Sequence, residues 1–236
     1  MKKVFILIGG VIVLLVAMVL IAPGFIDWNA YKGEITRAAE TATGRRLSID
    51  GDLRFTVLPT PALRASGVRL SNIDGAQSPD MLTLKEVRIR VSIAELFRKR
   101  IAVESIQLVE PVITLEVLAD GRASWDFAIN LGGDDTKSGL KSTGDAGVAI
   151  SLASLTITKG VVSYRKGAQL EHIENINAEI AAGSLNGPFT ATLSALVRGA
   201  PIEATLRTNI VRPNQPIGIN SVVAITGLKS RVLFSG

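Results

Sequence analysis

Val4 to Ala22 is a run of 19 uncharged residues, 17 of them apolar, behind Met1-Lys2-Lys3. At 1.5 Å per residue it reaches about 28 Å, close to the hydrocarbon thickness of a bilayer. The run is long for a cleaved signal peptide. The best cut, after Ala22, has Leu20 where a small residue belongs and Pro23 just beyond. The pattern therefore predicts an uncleaved signal anchor over 1–22, with Lys2 and Lys3 on the cytoplasmic side and the rest of the chain across the membrane.

The period then changes twice. Pro23-Gly24 breaks the apolar run, Asp27 fits an N-cap, and Trp28, Tyr31, Ile35, Ala38, Ala39 and Ala42 recur at three- and four-residue steps. That spacing predicts one amphipathic helix from Trp28 to Thr43, with Gly44 as its C-cap. From Leu47 the period is two. Leu47, Ile49, Gly51, Leu53, Phe55 and Val57 alternate with Ser, Asp, Asp, Arg and Thr, as half-buried strands do, with a bend expected at Gly51. Leu63/Ala65 passes to Val68/Leu70 out of phase, and Leu82/Leu84 passes to Val87/Ile89/Val91/Ile93 likewise, which suggests bulges. Alternation continues through Ile106/Leu108 and Ile113/Leu115/Val117 to an Asp120-Gly121 turn. Leu131 to Gly147, rich in Gly, Asp, Ser, Thr and Lys, reads as a linker or long loop. Alternating segments from Ile150 to Ile225, punctuated by Gly and Pro, then predict antiparallel strands with short connections.

One helix is too small to cover the apolar face of a dozen strands. That face must meet a second sheet, another chain or an apolar ligand. Periodicity leaves a sandwich and an open groove equally admissible. Twelve strands stacked at ~4.8 Å span about 58 Å.

Composition narrows the chemistry. The 236 residues carry a net charge of +5, no cysteine and one histidine. Disulfides and thiolate metal sites are therefore excluded, and no metal or cofactor is expected. Aromatic content of 5% argues against a barrel with aromatic girdles. His172, between Glu171 and Glu174, has neither a second His nor a Cys to work with. Gly132-Gly133 lacks the Walker lysine, and no Gly-x-Ser-x-Gly elbow occurs. No catalytic residues are nominated, and the chain is expected not to be an enzyme. Trp28 and Tyr31, just past the span, suit the headgroup zone or simple packing on the domain. Arg98-Lys99-Arg100 is the densest basic cluster, suited to anionic headgroups or to a solvated turn. Nucleic acid is not an expected partner of an exported domain.

Ile26-Asp27, Tyr31, Thr43-Gly44-Arg45, Ile49 to Leu53, Leu58-Pro59-Thr60-Pro61 and Val68 to Asn72 follow the anchor in that order. Ile106-Gln107-Leu108, Glu110-Pro111-Val112-Ile113 and Gly121 to Trp125 come next. This succession resembles the N-terminal region of the AsmA family over roughly residues 1–130, and more weakly through Leu155 to Tyr164 and Asn186 to Phe189. Ser124 departs from it, standing where the family often has Asn before the Trp. The resemblance implies an inner-membrane, single-pass protein with its bulk in the periplasm and a curved β-sheet whose apolar face holds phospholipid acyl chains for outer-membrane biogenesis. With the uncovered strand faces, it makes Leu47, Ile49, Leu53, Phe55, Val57, Val87, Ile89 and Val91 candidate groove residues. Trp28, Tyr31, Arg98, Lys99 and Arg100 are the headgroup candidates. The expected fold is mainly β, with a transmembrane helix, one amphipathic helix and an antiparallel, groove-like or sandwich-like sheet. It divides into an anchor (1–22), a helix-plus-β domain (23–130), a linker (131–147) and a second β segment continuing the sheet (148–236). The competing reading is a non-enzymatic assembly factor that binds outer-membrane or other envelope proteins through a sheet edge.

Overall fold

The computed structural model describes residues 26–57, 60–92, 95, 102–126, 153–182, 188–209, 219–225 and 230–235. The predicted anchor, the predicted linker and Arg98-Lys99-Arg100 lie outside them. Among the described residues no helix is long and apolar enough to cross a membrane.

The predicted helix begins one turn late. Trp28–Tyr31 is a 3-10 turn, and the α-helix α1 is Lys32–Thr43. Asp27 caps the turn by accepting from the Asn29 amide at 3.0 Å. Gly44, at φ 67°, closes α1 with its N–H on the Glu40 carbonyl at 2.8 Å. A left-handed residue there favours glycine.

Twelve strands follow: β1 (Leu47–Ile49), β2 (Leu53–Thr56), β3 (Ala62–Ser71), β4 (Asp80–Val91), β5 (Val103–Val109), β6 (Val112–Val117), β7 (Ser154–Lys166), β8 (Gln169–Ala182), β9 (Phe189–Val197), β10 (Ala200–Thr208), β11 (Ile219–Ile225) and β12 (Ser230–Ser235). All belong to one sheet, in the order β1-β3-β4-β5-β7-β8-β9-β10-β11-β12. β2 shares the β1 side of β3, and β6 shares the β5 position between β4 and β7. Twelve strands therefore fill ten positions, and the sheet is about 48 Å wide rather than 58 Å.

The expectation of a wholly antiparallel sheet fails at one seam. β7 runs parallel to both β5 and β6. Parallel neighbours need a long crossover, which residues 118–153 supply. The chain thereby returns to its starting end before laying down β7.

The phase shifts seen in sequence form a single line across the sheet. Gly67, Glu110, Lys159 and Asn175 are all left-handed, with φ between 48° and 60°. Asp50 and Gly51, between β1 and β2, donate to the Gly67 and Ser66 carbonyls at 2.9 and 3.0 Å. Lys85, on β4, reaches Glu110 at 2.9 Å. The Glu110 amide bonds the Thr158 carbonyl at 2.8 Å, and Lys159 N–H meets Asn177 Oδ1 at 3.1 Å. A crease thus crosses six strand positions. At it, β3 and β4 change phase together with no extra residue in either, since Ser66 pairs Glu86 and Val68 pairs Leu84. The bulge expected there is a shared kink instead. An extra residue does appear where the crease ends, between Glu174 and Asn177 opposite β9.

Leu53, Ala65, Val68 and Leu84 form the buried core, with Trp28 and Ile35 packed on them. Ala65 and Val68 share this cluster only because Gly67 reverses the alternation between them.

Gly51 tests the crease. A Cβ there would sit 2.7 Å from Ser66 Oγ and 2.9 Å from the Ser66 carbonyl oxygen. Gly51→Ala should cost about 1–3 kcal/mol, read as a lower urea midpoint. Gly33→Ala, in α1 with nothing within 4 Å, should stabilise by up to about 1 kcal/mol in the same assay.

Candidate functional site

Residues opposite each other in a ladder share a face, so register reads the faces directly. One row is Leu53, Ala65, Val87, Leu108, Ile157, Ala178, Leu193 and Ala204, from β2 to β10. Two residues along the strands runs Phe55, Leu63, Ile89, Ile106, Leu155, Ile180, Ala191 and Leu206. Beyond the crease runs Leu47, Leu70, Leu82, Ile113, Val162, Ile173, Val197 and Ala200. Every member of the three rows is apolar. The intervening row on the other face, Arg54, Arg64, Arg88, Gln107, Thr156, Glu179, Thr192 and Thr205, is polar throughout.

This apolar face is covered unevenly. Among the described residues, the 3-10 turn and α1 lie across its first strands, where Leu53 is 2% exposed. Leu206, on β10, is 36% exposed. Trp125 adds to the face from the crossover, its ring 6.1 Å from that of Tyr164. Such a one-sided apolar surface binds by shape and area, with no directional chemistry.

The predicted groove residues separate accordingly. Leu47, Ile49, Phe55, Val87 and Ile89 share the apolar face. Leu53 belongs to the buried cluster on which Trp28 and Ile35 pack, together with Leu47, Ile49 and Val87. Val57 follows β2, and Val91 ends β4 beside a register shift after Arg90; both are half-buried. Trp28 packs against Phe55, tilted, at 5.0 Å between ring centres, and Tyr31, 47% exposed, lies 5.8 Å from Trp28. His172 is exposed on the polar face, its Nδ1 3.0 Å from Ser163 Oγ. Among the described residues no three His, Cys, Asp or Glu side chains gather as metal ligands.

Sequence reasoning missed the buried polar cluster at the far end of the sheet. Arg45, Asn72, Glu116 and Ser124 are all buried. The Glu116 carboxylate accepts from the Gln77 and Ser78 amides, both at 2.9 Å, and from Asn72 Nδ2 at 3.4 Å. Ser124 Oγ accepts from the Glu116 amide at 2.9 Å, and Arg45 donates to the Ser124 carbonyl at 3.0 Å. Burial pushes the Arg45 guanidinium down from its usual value, against the pull of Asp74. Three of these positions were visible only as scattered motifs: Arg45 after Thr43-Gly44, Asn72 after Ser71, and Ser124 before Trp125.

Removing Glu116 should be costly. Glu116→Ala leaves two backbone donors and Asn72 without their acceptor, and should cost about 3 kcal/mol or more in denaturant unfolding. Glu116→Gln, which keeps one oxygen, should recover part of it. At the surface, the Arg122 amide and guanidinium hold the Asp120 carboxyl below its ordinary value, and Arg198 does the same for Glu171. Both contributions are present above the unfolded carboxyl range, about pH 4, and are lost as pH falls through the lower folded values. Acid titration in high salt should flatten this dependence, because both pairs are exposed.

No curated protein matches the chain. A model of the AsmA family matches residues 1–211. The match runs past the predicted linker and through β10, so it takes in every row of the apolar face. The chain belongs to the AsmA family.

Proposed function

We propose that this protein is an inner-membrane-anchored, periplasmic member of its family that binds or conducts phospholipid acyl chains, in outer-membrane biogenesis and envelope lipid homeostasis. The observation that carries the reading is the set of three all-apolar rows across eight strand positions of one sheet. Apolar area of this extent is stable in water only against an apolar occupant. A fatty acyl chain fits the requirement, since each buried methylene contributes about 0.8 kcal/mol. The polar opposite face leaves the other side of the sheet in water. At about 48 Å wide, the sheet would hold lipid locally, and a path across a wider space needs more chain or partners.

A photoreactive amino acid placed by codon suppression in the full-length chain tests this in cells. Probes at Ile157, Leu193 and Leu206 should form phospholipid adducts, identified by mass spectrometry, and probes at Thr156 and Thr192 should not. Protein adducts in place of lipid at the apolar positions would overturn the carrier reading and favour the assembly-factor one. Leu53→Asp should unfold the N-terminal core, whereas Leu206→Asp should keep the circular dichroism spectrum and lose the lipid adducts at Leu193.

A further inference from the structure

Arg54, Arg64 and Arg88 stand directly opposite one another on three adjacent positions of the polar face. Like charges in such register are destabilising. Arg90 stands two residues beyond Arg88 on the same face, opposite Ala62. Two carboxylates answer these four guanidinium groups. Asp52 pairs with Arg54 at 2.6 Å, and Glu86 is shared between Arg64 at 3.3 Å and Arg88 at 3.1 Å. Arg88 Nε is buried and makes no hydrogen bond. Arg90 is exposed and makes no ion pair among the described residues. The side chains of Arg54 and Arg64 are 72% and 49% exposed, so both remain open to an anion in solution. Arginine is the side chain best matched to phosphate, through its planar fork of donors.

Position adds a second argument. The cluster lies within about 10 Å of the end of the sheet where β2 and β4 finish. The chain enters at that same end: Asn29 Oδ1 accepts from the Leu53 amide at 3.0 Å, and Trp28 packs against Phe55. Tyr31, beside Trp28, and Ile26, two residues before Trp28 in sequence, are 47% and 45% exposed. Exposed apolar side chains beside the entry and an unbalanced row of arginines on the polar face both suit the headgroup layer of a bilayer.

We propose that Arg54, Arg64, Arg88 and Arg90 form a docking surface for anionic phospholipid headgroups, which seats this end of the sheet on the membrane. The proposal rests on the anchored reading given above. The docked sheet stands on the bilayer with its apolar face opening beside the headgroups, where acyl chains leave or enter the membrane.

The chain has no cysteine, so Thr56→Cys, exposed beside the cluster, carries a unique fluorophore. Energy transfer from it to a headgroup-linked acceptor is measured on the full-length protein in nanodiscs. Transfer should be higher in discs rich in phosphatidylglycerol than in phosphatidylcholine discs, and should fall in high salt. The docking equilibrium should weaken roughly fivefold for each of Arg54→Gln and Arg90→Gln, while Arg46→Gln at the far end leaves it unchanged. Transfer that ignores lipid charge and salt in the unmutated protein overturns the proposal, whatever the variants do. Loss of transfer on adding millimolar inorganic phosphate would mark a free-anion site and also overturn it. Anchoring fails separately. A chain that does not embed in discs but floats with anionic vesicles in an arginine-dependent way retains the docking surface and refutes the anchor. A chain that does neither refutes both.

Discussion

A strand alternates its side chains with period two, and a sheet with one apolar face must respect that period in every strand at once. This protein breaks the period at a line and keeps the face. Each sheet position from β3 to β8 reverses its phase at the crease, the one shared by β5 and β6 between those two strands. Left-handed residues at Gly67, Glu110, Lys159 and Asn175 take the reversal in four of them. The break in β1–β2 falls on the same line, at Asp50-Gly51-Asp52. Because neighbouring strands shift together, their hydrogen bonds survive and the apolar rows on either side fall on one surface. A strand that kept strict alternation through the line would turn half its apolar residues into water.

The helix and the far-end polar cluster hold this surface at its first strands. Trp28 and Ile35 press on Leu53, Ala65, Val68 and Leu84, and the polar cluster ties the end of α1 through Arg45 to the start of the crossover through Ser124. The short motifs that linked the sequence to its family sort into these devices. Asp50-Gly51-Asp52 and Glu110-Pro111 lie on the crease, while Arg45, Asn72 and Ser124 meet around Glu116. Residues far apart in sequence recur together because each group solves one packing problem.

Much of the fold was legible from periodicity. Alternation located the strands, the three- and four-residue spacing located α1, and the phase shifts at Ser66-Gly67 and Lys85-Glu86 fell where the crease is. Their common cause was not visible, since a phase shift in one strand does not say what its neighbour does. The parallel seam was hidden for a similar reason: alternation carries no sign of strand direction. The merging of β1 with β2 and of β5 with β6 into single positions escaped notice because Pro and Gly read as turns. Among the groove candidates, Phe55 and Leu53 look alike in sequence, two residues apart on one face. Leu53 is 2% exposed and Phe55 half-buried although Trp28 meets both the core around Leu53 and the Phe55 ring, a difference that alternation does not carry. The arginine row was unreadable for want of register, which alone brings Arg54, Arg64 and Arg88 side by side.

The parallel seam has a kinetic consequence. On either side of it the sheet is a meander, β1 to β6 and β7 to β12, in which every strand pairs with neighbours close in sequence. Across the seam, Ser105 meets Ser154, and the intervening crossover must first be closed. Local hairpins form faster than contacts of such separation. Each meander can therefore pair locally before the crossover closes and the seam forms. A nascent chain would thus have the whole of its first meander available for pairing while the second is still being synthesised.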